Sequence, residues 1–291
     1  MTTQSYFEIG ENNLRELSKR ANIVDEQRNI VIRELVASIL NRTESDTLEL
    51  AYREFLANLS SVTVADKHTF SEACAELMPR ERILSALPFG DSEQFTTAGA
   101  HGKIAYVRNR YNDEAFSRFS ATIPHAKHLY LSDFESCCEA VSADECEFTI
   151  LPLENTTDGK MFGFYSLLDR FELKIDSVST LESEDSSRSI RYALVGKRFR
   201  SAILDSAEQK RIFELSITYS PRPQLLELYL AASRWKLKEH RSSSLSLPYN
   251  DNMVRFYHSF IIDERSELLP FLIFLTLEYP QYSPIGVYRE I

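Results

Sequence analysis

Between residues 103 and 195 the hydrophobic period switches back and forth, and that rhythm limits the possible folds more than any other feature of the chain. Short apolar runs at residues 104–107, 128–131 and 148–153 read as buried strands, while residues 114–119 and 134–141 carry helical spacing. Strand and helix in alternation predict a parallel or mixed sheet covered by helices, an α/β lobe. The third run, Phe148-Thr149-Ile150-Leu151-Pro152-Leu153, stops at Glu154-Asn155-Thr156-Thr157-Asp158-Gly159, and Phe162, Tyr165, Leu167 and Leu168 then restart the helical period. A buried strand that ends in a polar turn and feeds a helix is where α/β proteins place ligand chemistry, because backbone N–H groups and the helix dipole can hold an anion there. Two further strands, 173–181 and 190–195, flank a polar turn at 182–187 that is too short to hold a domain.

The flanking segments have different rhythms. Residues 12–87 read as helical, with Leu14, Leu17, Ala21 and Val24, then Ile30, Ile32, Leu35, Val36, Ile39 and Leu40, at three- and four-residue steps. Asp46 or Thr47 is placed to cap a second helix, and Pro79 marks a stop. A turn-rich stretch at 88–100 sets the first boundary. After Lys197 the order reads β-α-β-β-α-β at residues 212–219, 224–233, 237–247, 255–263, 267–278 and 283–289, the split βαβ order of ferredoxin-like domains. The expected fold class is therefore α/β and α+β: a helical segment at 1–100, a single α/β lobe at 101–200 and a ferredoxin-like βαββαβ domain at 205–291.

Composition narrows the function classes. With 43% apolar residues the chain can bury ordinary cores, and a formal net charge of −10 argues against a nucleic-acid partner or an anionic membrane surface. Cys74, Cys137, Cys138 and Cys146 lack paired zinc spacing and read as reduced core thiols, which suits a cytoplasmic location. The six histidines form no metal-spaced set, so no metal and no cofactor is expected. No targeting segment and no bilayer-length apolar run is visible.

Residues 103–181 resemble the first lobe of prephenate dehydratase, the enzyme that decarboxylates and dehydrates prephenate to phenylpyruvate on the route to phenylalanine. The resemblance is carried by Ile104-Ala105-Tyr106, by Asp133-Phe134-Glu135 with Ala140-Val141, and above all by Leu151-Pro152-Leu153-Glu154-Asn155-Thr156. The carboxy-terminal segment is similar to the ACT domain that follows the catalytic part in this family and binds phenylalanine. By this resemblance the lobe is one of the two in a periplasmic-binding-protein-like fold, with the active site in the cleft between them. Its second lobe is missing here, because the strand ending at Leu181 passes directly to Ser189-Ile190-Arg191-Tyr192-Ala193-Leu194-Val195.

The departures from the family concern chemistry. Ile190 stands where the resemblance implies a catalytic threonine, and isoleucine has no hydroxyl to donate a proton. Arg191 is retained. The glycine-rich turn of the family has become Val107-Arg108-Asn109-Arg110-Tyr111-Asn112, which disfavours close backbone approach to a ligand. In the ACT-like segment the effector motifs align with Pro223-Gln224-Leu225-Leu226 and Arg241-Ser242-Ser243-Ser244, both altered. The candidate ligand-binding residues are thus Glu154, Asn155, Thr156 and Arg191, and the candidate effector residues are Gln224, Leu225, Arg241 and Ser242. For Glu154-Asn155-Thr156 the plainer alternative is that these residues cap the following helix. Arg108, Arg110 and Arg191 either gather to attract a dicarboxylate or are ordinary surface charges.

The function expected is that of a degenerate, non-catalytic dehydratase-like protein, a ligand-binding or regulatory one in phenylalanine biosynthesis. It is expected to act as a homodimer through the ACT-like domain, with an aromatic-pathway enzyme as a further partner. The dimer expectation rests on residues 268–277, apolar almost all round, which would be covered by the sheet on one side and a partner on the other. The alternative is an enzyme of the same pathway: a dehydratase completed by another chain, or a chorismate mutase in the amino-terminal helices, where Arg15, Arg20, Arg28, Arg33, Arg42 and Arg53 supply cations.

Overall fold

A computed structural model of the chain describes residues 3–42, 47–88, 95–96, 102–182, 188–200, 210–219, 225–246 and 253–291. It divides into two compact units, Met1–Ala86 and Leu87–Ile291. The first is helical: α1 (Thr3–Arg42), α2 (Leu48–Ala57), α3 (Val64–Leu77) and α4 (Arg80–Ala86). Thr47 caps α2 by accepting a hydrogen bond from the Leu50 N–H. Thr63 and Asp66 form a reciprocal capping box on α3, which starts five residues before the expected stripe at Thr69. The core of this unit is where Ile32, Val36 and Ile39 of α1 are buried together with Phe55 and Phe70. The earlier apolar positions of α1, including Leu14, Leu17 and Val24, are exposed.

The second unit holds β1 (Phe95–Thr96), β2 (Lys103–Val107), α5 (Arg110–Ser120), β3 (Lys127–Leu131), α6 (Phe134–Ser142), β4 (Phe148–Asn155), β5 (Gly159–Lys160), α7 (Phe162–Arg170), β6 (Lys174–Glu182), β7 (Ser189–Gly196) and β8 (Phe199–Arg200). It continues with β9 (Arg211–Tyr219), α8 (Leu225–Arg234), β10 (Lys238–Ser246), β11 (Val254–Ile262), α9 (Leu268–Glu278) and β12 (Tyr282–Glu290). The order of the longer elements agrees with the sequence reading, which did not contain α4 or the two-residue strands β1, β5 and β8, and the carboxy-terminal strands adopt the ferredoxin-like order β10-β11-β9-β12. Asn109 and Asp133 cap α5 and α6 through their side chains, so the polar residue ahead of each helix starts it.

What the sequence did not reveal is that the lobe and the carboxy-terminal strands share one sheet. Its order is β10-β11-β9-β12-β6-β7-β4-β2-β3, and the seam is the parallel pair β12–β6. Gly286 lies opposite Ile175 at that seam, and a Cβ on it would sit 2.7 Å from the Ile175 carbonyl oxygen. Glycine is what lets the two strands close there. The residues of β6 and β7 pair directly in antiparallel register on either side of residues 183–188, so no second lobe separates them.

Two readings of apolar segments are now settled by burial. All four cysteines are free and buried, and burial pushes the thiols of Cys74, Cys137 and Cys138 up to about 12, so they are inert core residues. Helix α9 buries Phe271, Leu272, Ile273, Phe274 and Leu275 to 1% exposure or less within the single chain. The middle of the helix is therefore covered by its own chain, while Leu268, Leu269 and Leu277 are half-buried. Among the described residues, no helix is long and apolar enough to cross a membrane.

Candidate functional site

Strand β4 is buried almost throughout because it lies inside the sheet between β2 and β7, with α6 and α7 packed against it. Proline, which lacks a ladder N–H, sits at an irregularity in its register: Pro152 pairs with Tyr192, the next pair is Glu154 with Arg191, and Leu153 is left over as a bulge. The strand ends with Asn155 opposite Ile190. Asn155 Oδ1 then accepts the backbone N–H groups of Thr157 and Asp158, and its amide donates to Asp158 Oδ2 at 2.9 Å. Thr156 exchanges hydrogen bonds with Ser189 of β7: its N–H donates to the Ser189 carbonyl at 3.0 Å, and its hydroxyl accepts the Ser189 N–H at 3.1 Å. Gly159, at φ 71°, reverses the chain, and β5 pairs back onto β4.

These bonds correct the capping alternative. Helix α7 has Met161 at its N-cap with no side-chain cap bond, so Glu154, Asn155 and Thr156 do not cap it. Asn155 and Thr156 close the turn and tie it to β7.

Glu154 does something different. Its carboxylate accepts Arg191 Nη1 at 3.4 Å and also pairs with Arg241 on β10. Arg191 Nη2 donates to Glu290 at 3.0 Å and to the Tyr288 hydroxyl at 3.3 Å. Tyr288 in turn donates to Glu214 Oε2 at 2.6 Å. The other oxygen of Glu214 takes the Tyr165 hydroxyl at 3.0 Å and the ammonium of Lys160, which lies over the Tyr165 ring. Three carboxylates, Glu154, Glu214 and Glu290, thus face three cations, Lys160, Arg191 and Arg241, across the seam between the lobe and the carboxy-terminal strands.

The electrostatics match this closed set. Burial by itself would raise the Glu214 carboxyl, but Lys160, the Tyr288 hydroxyl and Arg191 hold it below its ordinary value. Burial works against the charge of Arg191 as well, and Tyr288, Glu154 and Glu214 outweigh it, keeping the guanidinium protonated. Burial, followed by the charge of Glu214, lifts Tyr165 and Tyr288 well above ordinary tyrosine, so both remain neutral donors.

The candidate ligand-binding residues are therefore neighbours, and apart from the buried Arg191 Nε, which has no hydrogen-bond partner, the polar atoms traced above are used inside the protein. The cavity at this end of the sheet measures about 290 Å³ and is lined by Tyr111, Asn155, Asp158, Arg188 and Ile190 among others. Arg191 is not among its lining residues. Arg108 packs over the Tyr130 ring and does not join Arg191. Of the candidate effector residues, Gln224 lies outside the described residues, Leu225 opens α8, and Arg241 and Ser242 are exposed on β10. Arg241 is drawn to Glu154, into the other predicted group. Lys160, Tyr165, Glu214, Tyr288 and Glu290 escaped the sequence reading. Only Glu214 left a signal, a single acid in the apolar run Ile212-Phe213-Glu214-Leu215.

In the helical unit, five of the six candidate arginines are paired with acids: Arg20 with Glu16, Arg28 with Asp66, Arg33 with Glu72 and Glu76, Arg42 with Glu54, and Arg53 with Glu49. Among the described residues no group of three or more His, Cys, Asp or Glu is placed to hold a metal ion.

The fold and the site together define a mixed α/β protein whose strand-end turn sits beside a self-neutralised ionic cluster. Residues 108–213 match the family model of prephenate dehydratase. Among solved structures, prephenate dehydratase from Streptococcus mutans is similar at 19% identity and a TM-score of 0.51, covering 65% of this chain and 98% of that one. A structure described as GqqA, a novel type of quorum quenching acylase, is similar at 19% identity and a TM-score of 0.50, covering 64% and 94%. At these identities the likeness is one of fold. No curated protein matches the chain.

Proposed function

We propose that this chain is a non-catalytic relative of prephenate dehydratase, a ligand-binding or regulatory protein linked to phenylalanine biosynthesis. The observation that carries the reading is the pairing at the end of β4, where Asn155 faces Ile190 and Glu154 faces an arginine already held by acids of the same chain. Expulsion of hydroxide from prephenate needs a proton donor at the leaving oxygen, and isoleucine supplies none. A carboxylate ligand needs a cation that is not already neutralised, and Arg191 is. Fold likeness does not choose the activity, since two similar structures are described with different activities.

Incubating the purified chain with prephenate and following phenylpyruvate should give a rate equal to the spontaneous one. Saturable turnover above that background would sink the reading. A parallel incubation with chorismate tests the mutase alternative, which the ion-paired arginines of the helical unit disfavour.

The proposed assembly is a homodimer through the carboxy-terminal ACT-like segment. Because the middle of α9 is covered by its own chain, the face offered is the edge of the sheet at β10, which among the described residues pairs only with β11. Sedimentation at micromolar concentration should report a dimer, and a monomer throughout that range would remove the proposal.

A further inference from the structure

A larger cavity lies at the opposite end of the sheet from the Asn155 turn. It measures about 730 Å³ and is enclosed by the α7–β6 turn, the β7–β8 turn and the start of β12. Strand β7 runs from Ser189 beside Thr156 to Gly196 beside Lys174, so the two cavities stand on the order of 20 Å apart along the strand.

Four of its lining residues are cationic: Arg170, Lys174, Lys197 and Arg198. Two of these are neutralised, Arg170 by Glu135 at 2.7 Å and Lys197 by Asp144 at 2.8 Å. Asp169 on the wall is spent on Arg255. Lys174 and Arg198 remain: among the described residues neither has a carboxylate within ion-pair distance, although Asp144 also feels the charge of Arg198. The Lys174 ammonium gives one hydrogen bond, to the Pro284 carbonyl at 3.0 Å, and lies 5.7 Å from the Phe199 ring centroid. Burial pushes its pKa below the usual lysine value, and the exposed Glu172 nearby only partly offsets this. A half-buried ammonium with two unused donors facing a cavity is a group that an anion would complete. Beside it, Leu173 and Ile285 are buried and Phe171 half-buried, which gives the wall an apolar part.

We propose that this cavity binds a small organic anion, its carboxylate or phosphate on Lys174 and Arg198 and its apolar body against Phe171, Leu173 and Ile285. The volume is in the range of metabolite sites, and the mixture of apolar wall and a few placed charges is the usual make-up of such sites. The proposal does not depend on the dehydratase-like reading, because it uses neither the Asn155 turn nor Arg191.

Calorimetric titration of the whole chain with phenylacetate, phenyl phosphate and inorganic phosphate tests it. At least one of the two aromatic anions should bind with a sub-millimolar Kd and more tightly than inorganic phosphate; which of them binds identifies the head group. Lys174→Met and Arg198→Glu should each weaken that binding about tenfold or more. Tyr111→Ala, in the other cavity, should leave it unchanged. Circular dichroism checks folding, and Arg198 is exposed, so its variant keeps the test open if Lys174→Met does not fold. Absence of binding at millimolar concentration, equal binding of inorganic phosphate, or binding that survives Arg198→Glu and disappears in Tyr111→Ala each overturns the proposal.

Discussion

Glu214→Ala is expected to cost about 3–5 kcal/mol of stability, the usual penalty for removing one member of a buried ion pair. Glu214 is 1% exposed and its Lys160 partner only 9% by side chain, so the lysine would be left charged in a dry seam. The Tyr165 and Tyr288 hydroxyls would lose their acceptor at the same time. Urea unfolding followed by fluorescence of Trp235, the single tryptophan and a buried one, reads this unit directly. The same residue gives a pH dependence. Because its folded pKa is depressed, its contribution is fully present above the unfolded value, about 4.3 for a glutamate, and is lost as pH falls through the lower folded value. Glu214→Gln should therefore be less stable at neutral pH and should lose less stability than the wild type on going from pH 5 to pH 3. An unchanged midpoint in Glu214→Ala would mean that the seam does not hold the unit together.

Arg191→Ala should likewise show itself in stability, with an expected loss of about 2–3 kcal/mol, the range for hydrogen bonds to charged groups in a buried setting. The loss should be smaller than for Glu214. Glu154 keeps Arg241, and Glu290 is half exposed and rehydrates. Pairing Arg191→Ala with Glu154→Ala in a double-mutant cycle should give a coupling of about 0.5–3 kcal/mol, the range for residues in contact. The opposite result, wild-type stability together with a lost heat of phenylpyruvate binding, would show that the arginine serves a ligand.

The two predictions reverse what the motif by itself suggests. Read along the chain, Glu154-Asn155-Thr156 and Arg191 form a ligand site, and Arg241 belongs to a separate effector site. Folding brings Arg241 to Glu154 because β12 joins β6 and sets the carboxy-terminal sheet beside the lobe. The charges that would have met a substrate then meet one another.

The elements themselves were legible because they depend on local chemistry. Apolar runs of strand length, the cap at Thr47 and the 3.6-residue stripes are each set by residues a few positions apart, whereas the caps at Asn109 and Asp133 went unread and α5 starts four residues before the expected helix. Residues 190–195 were also readable as a strand, but their antiparallel pairing with β4, across β5, α7 and β6, was not. Long-range closure was not legible. Whether Gly286 meets Ile175, whether Glu214 finds Lys160, and whether α9 is covered by its own chain depend on surfaces that come together only on folding. The chain alone therefore determined that there is an α/β lobe and a ferredoxin-like segment. The tertiary structure decided that the remaining arginine is neutralised, because a buried cation is stable only beside acids, and only the packed sheet supplies them.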